Sequence, residues 1–169
     1  MQSPKSIVIL NLNVAEAIIN HAYIDEFSEC GGYLLGKMKN LQGVFHFYIE
    51  QIYYEKNLIG TDNEFVFPLF YEARARAFAD KIGHEILGSY HSHGQYPSTF
   101  SDVDKNVLEP HWASNKLCLV FSPKYFTFNC DTVFKNGETE KTLIIVRDGK
   151  KYMTVEKFFS QDEQLEKHI

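Results

Sequence analysis

The sequence is short of the features that mark several protein classes. Only three of its 169 residues are cysteine, an odd number, and a chain this long buries about two-thirds of its unfolded surface without covalent staples. Free thiols and a reducing compartment, the cytoplasm, are therefore expected, with no disulfide framework. The five prolines and ten glycines build no linker, and no repeat or low-complexity tract divides the chain, so one domain is expected over residues 1–169. Basic residues are in the minority, 17 Lys and Arg against 22 Asp and Glu, and nowhere cluster enough to follow a phosphate backbone. Nucleic acid is not an expected partner. No apolar run approaches the roughly 20 residues that cross a bilayer. The run Ile7 to Leu10 is short for a signal peptide and no small-residue cleavage site follows it, so no membrane association is expected. What the chain has in quantity is aromatic and apolar side chains, 15% and 44% of the total, the composition of a globular protein with an aromatic-rich interior.

Patterning supplies the elements. Ser6 to Leu12 is β-branched and alternating, and Val14 to Tyr23 carries apolar residues at helical spacing after Asn13, a cap residue by type. Gly32 to Gly36 and Val44 to Tyr53 are two strands of a hairpin joined through Lys39 to Gly43. The polar segment Tyr54 to Glu64 is a loop. Leu69 to Ile82 is an amphipathic helix with Phe70, Ala73, Ala77 and Phe78 assigned to its packing face. Ile86 to His91 is a strand, and Ser101 to Leu108 is a short helix that Pro110 cannot continue. Leu117 to Phe121, Tyr125 to Phe134 and Thr142 to Arg147 are further strands, the last two expected to join through Asn136-Gly137. Val155 to Lys167 is a terminal helix, within a segment 155–169 that either closes the fold or serves as a tail. One mixed sheet with helices on it, class α+β or α/β, accounts for this order.

The chemistry lies between strand and helix, in His91-Ser-His-Gly-Gln-Tyr-Pro-Ser-Thr-Phe-Ser-Asp-Val-Asp104. Residues i and i+2 at a strand end point to one side, so His91 and His93 can offer two imidazoles to one ion. The excursion through Gly94 and Pro97 is long enough to bring back Asp104 as an anionic third ligand. Two neutral imidazoles, a carboxylate and an open position suit catalytic zinc. The plainer alternatives are definite. Ser101 and Asp104 also satisfy a capping box, and Glu29 fits a surface residue at the start of a strand. His21, His46, His84, His111 and His168 are expected to be hydrogen-bonded or partly exposed, and Tyr96 and Phe100 to pack down.

The string His-x-His, seven residues, Ser, two residues, Asp, with Glu29 three residues before Gly32-Tyr-Leu-Leu-Gly36, resembles the signature of the JAMM family of zinc metalloproteases, also called MPN+ or JAB. The order of elements from Ser6 to Phe134 is similar too, so the resemblance covers most of the chain. It implies a JAMM/cytidine-deaminase-like α+β fold, a single mixed, mostly antiparallel curved sheet flanked by helices. It implies one zinc ion held by His91, His93 and Asp104, with Glu29 as the acid/base and Ser101 steadying the oxyanion. The implied activity is hydrolysis of the bond after the C-terminal tail of a ubiquitin-like protein, by a prokaryotic or phage-type member. The same family pattern also admits another small substrate, such as a sulfur-carrier protein, a cysteine-bearing metabolite or a peptide. Family members that act on ubiquitin commonly have Pro after the second His, where this chain has Gly94, expected to loosen the loop to Ser101. The segments corresponding to substrate-gripping insertions, Tyr54 to Glu64 and Glu109 to Lys116, are modest. Recognition would then rely on an extended tail along a sheet edge.

Other chemistries fit less well. A nucleobase deaminase needs His-x-Glu and Pro-Cys-x-x-Cys, and neither occurs. His84-Glu85 is not followed by the second His of a His-Glu-x-x-His protease. Cys30 as a nucleophile competes with Cys30 as a buried strand-edge thiol. The non-enzymatic alternative is an assembly scaffold of the MPN type, which lacks the ligands that this sequence has.

Overall fold

The chain alternates strands with three helices in a computed structural model that describes residues 4–24, 29–55, 69–94, 96–98 and 116–166. In order these are β1 (Ser6–Asn11), α1 (Leu12–Ile24), β2 (Gly31–Leu41), β3 (Val44–Tyr53), α2 (Leu69–Lys81), β4 (Glu85–Ser92), β5 (Lys116–Ser122), β6 (Thr127–Val133), β7 (Thr139–Lys141), β8 (Leu143–Asp148), β9 (Lys151–Thr154) and α3 (Val155–Glu166). The expected helix Ser101 to Leu108, most of the loop Tyr54 to Glu64, Phe100 and nearly all of the segment Glu109 to Lys116 lie outside the described residues, as do His111 and His168.

The strands form one mixed sheet in the order β7-β6-β5-β4-β2-β3-β1-β8-β9. The pairs β1/β3, β1/β8 and β4/β5 are parallel, and the other five are antiparallel. This is the expected α+β architecture. The first half of central β2, Gly31 to Gly36, is covered on both faces, which explains its apolar run. Leu34 joins the main core with Val14, Ile18, Phe47, Leu119 and Phe158, which gathers α1 and α3 on one face. Tyr33 and Leu35 point the other way, into a second cluster with α2. Phe159 of α3 stacks on Phe128 at 5.6 Å, so the C-terminal helix is a closing element.

Several local expectations are corrected. The face of α2 that packs is Tyr71, Ala75 and Ala79, with Phe78 at its margin, whereas Ala73 and Ala77 are exposed and Phe70 is 54% exposed. The two faces of this alanine-rich helix are similar in apolar content, so the helix's own pattern does not select the face that packs. Helix α1 begins at Leu12, so Asn13 lies within its first turn and is not the cap. Asn11 does not cap it with its side chain either: Arg147 donates to Asn11 Oδ1 from both Nε (3.0 Å) and Nη2 (2.7 Å). The Asn136-Gly137 turn leads from β6 into β7, a three-residue strand the sequence pattern did not reveal, and not into β8.

That correction shows how the sheet curls. β7 is one edge of the sheet and β8 is next to the other edge, yet only Thr142 separates them in the chain. The two ends of the sheet must therefore approach each other. Three buried hydroxyls hold them there: Thr132 Oγ1 of β6 donates to Ser6 Oγ of β1 at 2.8 Å and lies 2.6 Å from Thr142 Oγ1. Ser6 and Thr132 are fully buried, so a lost hydroxyl leaves partners that water does not replace. Thr132→Val should lower stability by about 1–3 kcal/mol. Urea unfolding at neutral pH checks this, and an unchanged midpoint and slope would show that the cluster does not hold the curl.

Candidate metal centre

Strand β4 runs out at Ser92, placing His91 as its penultimate residue and His93 immediately beyond it. Both side chains are buried, and their Nε2 atoms converge to 3.0 Å. Two imidazoles on one tetrahedral zinc, each with a bond of about 2.0–2.1 Å, bring their nitrogens to about 3.3 Å, so this spacing fits a shared ion with a small adjustment. His93 Nδ1 lies 2.6 Å from the Pro97 carbonyl oxygen. A carbonyl can only accept, so Nδ1 carries the proton and the neutral ring presents the Nε2 lone pair towards His91. This is the outer arrangement of a metal-bound histidine.

Glu29 stands just before the adjoining strand. β2 and β4 are antiparallel with Gly31 opposite His91, and the contact continues through the Ser92 N–H, which donates to the Cys30 carbonyl at 2.8 Å. Glu29 thus precedes β2 at the end of the sheet where His93 follows β4. Its carboxylate is buried, 6% exposed, which a surface residue at a strand start would not be. Ser92 stitches the junction further: its hydroxyl accepts from the Cys30 N–H at 3.0 Å and donates to Cys30 Sγ at 3.3 Å. Cys30 is thus a buried strand-edge thiol, and Cys118 and Cys130 are likewise buried and in no disulfide. Burial raises the Cys130 thiol well above the usual range, which keeps it protonated and inert.

Asp104 and Ser101 lie outside the described residues. Among the described residues no three His, Cys, Asp or Glu side chains converge as a complete metal site. The donor chemistry of the described part, two inward imidazole nitrogens with one tautomer fixed from behind, fits zinc.

Loop 93–98 departs from expectation. Gly94 adopts φ +54°, where proline's ring cannot go, so the Gly in place of the family's Pro belongs to the turn this backbone makes. The loop is tied: Tyr96 N–H donates to the His93 carbonyl at 2.9 Å. Tyr96, expected to pack down, is 53% exposed, because both its backbone polar groups are engaged inward and its ring is turned out. The loop tethers and the role of Ser92 left no signal in the sequence, since serines at strand ends are too common to single out.

Beneath the centre, His21 shares a hydrogen bond with the Tyr90 hydroxyl at 2.9 Å and stacks on Tyr54 at 3.9 Å. His46 and His84 likewise have local partners, the Val44 carbonyl and Glu50. Gly32 is required here, because a Cβ would lie 2.5 Å from the Tyr53 carbonyl and 2.8 Å from the Tyr90 ring.

The model of prokaryotic homologs of the JAB domain matches residues 12–131, and the chain belongs to that family. The solution structure of protein DSY2949 from Desulfitobacterium hafniense has the same fold, with a TM-score of 0.70 and 22% identity over 84% of this chain and 94% of that one. A JAB1/MPN domain protein from Archaeoglobus fulgidus, AF2198, aligns over 82% of this chain and 97% of its own at 15% identity, with a TM-score of 0.48. No curated protein matches the sequence. The JAB/MPN family contains metalloproteases and also non-catalytic members. Among the described residues no helix is long and apolar enough to cross a membrane.

Burial lowers the His21 pKa from 6.5 to about 4. A histidine neutral in the fold and protonated when unfolded costs stability on acidification. Stability should be full above pH 6.5 and fall as pH drops towards 4, by up to about 3 kcal/mol from this residue. His21→Gln, which does not titrate, should flatten the slope between pH 6.5 and 4 in denaturant unfolding. An unchanged slope would contradict the assignment.

Proposed function

We propose that the protein is a zinc-dependent peptidase or isopeptidase of the JAB type that cuts the bond after the C-terminal tail of a ubiquitin-like protein. The observation that carries the proposal is the 3.0 Å convergence of His91 and His93 Nε2 with the His93 tautomer fixed by Pro97, beside a buried glutamate. Family membership supports it.

His91 and His93 bind the metal through Nε2 and Asp104 through its carboxylate. Bound zinc supplies a Lewis acid and lowers the pKa of a water towards about 7. Glu29 takes the proton of the attacking water onto its carboxylate and returns it to the leaving nitrogen. The Ser101 hydroxyl donates to the developing oxyanion. The ubiquitin-like partner is supported by family analogy alone.

The test uses zinc-loaded protein and a panel of ubiquitin-like proteins bearing a C-terminal extension or an isopeptide-linked lysine. Cleavage after the tail is expected in at least one, and Glu29→Gln should retain one zinc per chain and lose at least about 100-fold in turnover. Full activity in Glu29→Gln overturns its role. An uncut panel overturns the substrate assignment, and short-peptide cleavage in its place would point to a small-substrate metallopeptidase.

A further inference from the structure

The geometry points to Ser122, together with the pair Ser98 and Thr127, as positioning residues for the metal centre, and we infer that the β5–β6 turn acts as a latch that aims His93. The inference rests on the assignment of His93 as a zinc ligand and extends it to residues not adjacent to it in sequence.

Pro97 holds the key contact to His93. Its carbonyl oxygen fixes the His93 ring through Nδ1, while the peptide before it, Tyr96–Pro97, lacks an N–H and can be anchored only through the Tyr96 carbonyl. Pro97 is held from its two sides. On the preceding side, the fully buried Ser122 hydroxyl donates to the Tyr96 carbonyl. On the following side, Ser98 Oγ and Thr127 Oγ1 lie 2.8 Å apart, and Ser98 is buried. Ser122 ends β5 and Thr127 begins β6, so both anchors belong to the one turn spanning residues 123–126. His93's own N–H donates to the Phe121 carbonyl at 3.0 Å, which ties the ligand's backbone to the residue before Ser122. Backbone and ring of His93 thus take their placement from the same strand end.

A purely structural role is the alternative, and the two differ in what they move. Loop 93–98 covers little core, because Tyr96 is 53% exposed and Pro97 is held by its neighbours. Removal of an anchor should therefore leave the metal-free fold nearly intact while freeing the Pro97 carbonyl to rotate away from Nδ1. Loss of such an outer partner of a metal-bound histidine typically weakens metal binding by about 10–100-fold.

The experiment measures zinc affinity by chelator competition and the visible spectrum of the cobalt-substituted full-length chain, alongside the melting temperature of metal-free protein. Ser122→Ala and Thr127→Val should each weaken zinc binding, by about 10–100-fold for Ser122→Ala, and alter the cobalt spectrum. Thr127→Ser, which keeps the hydroxyl, should restore the parent affinity and spectrum. Thr127 is exposed, so Thr127→Val decides the matter even if Ser122→Ala does not fold. Parent-like affinity and spectrum in the variants overturn the latch and leave the zinc site standing. Equal loss in Thr127→Val and Thr127→Ser also overturns it. A parent chain that binds neither metal overturns both the latch and the zinc assignment beneath it.

Discussion

The antiparallel pairing of β2 with β4 is the constraint from which the candidate centre follows. It sets Gly31 opposite His91 and Cys30 opposite Ser92, at the end of the sheet where Glu29 precedes β2 and His93 follows β4. A slip of one residue would break that register. Ser92 guards against that slip, because its backbone and hydroxyl together make three bonds to Cys30. Behind the pairing, Gly32 lets the Tyr53 backbone and Tyr90 ring approach, and Tyr90 in turn engages His21. The centre is thus built where a fully buried strand emerges, with its polar groups satisfied one after another.

The second constraint is the curl. Nine strands laid flat would leave β7 and β8 at opposite sides of the sheet, and a one-residue connection between them forbids this. The curl also explains the aromatic composition. α1 and α3 share one concave face, and Phe121, Phe128, Phe158 and Phe159 fill the space between sheet and closing helix with rings 4.9–6.4 Å apart. Large rings suit a curved layer whose depth varies along its length.

Much of this was legible in the sequence, for definable reasons. Strands β1 to β6 and β8 and helices α1 and α3 carry a period or an apolar run, and the histidine pair was legible because a His-x-His step at a strand end has one geometric consequence. The packing face of α2 was not, since alanines occur around most of that helix and only the partner surface selects among them. The short strands β7 and β9 were not, because Thr139–Lys141 and Lys151–Thr154 are polar and take their pairing from β6 and β8. The outer contacts of His93 were the least legible. They are made by a backbone carbonyl and by hydroxyls from β5 and β6, and neither leaves a spacing rule in the chain.

His91 and His93 are proposed to hold one zinc ion through imidazole nitrogen. X-ray absorption on the chain loaded with one equivalent of zinc tests it most directly. Two imidazole nitrogens with oxygen donors at about 2.0–2.1 Å, reduced to a lower imidazole count in His93→Ala, are the predicted result. A sulfur shell at about 2.3 Å, or no imidazole scattering at all, would contradict it.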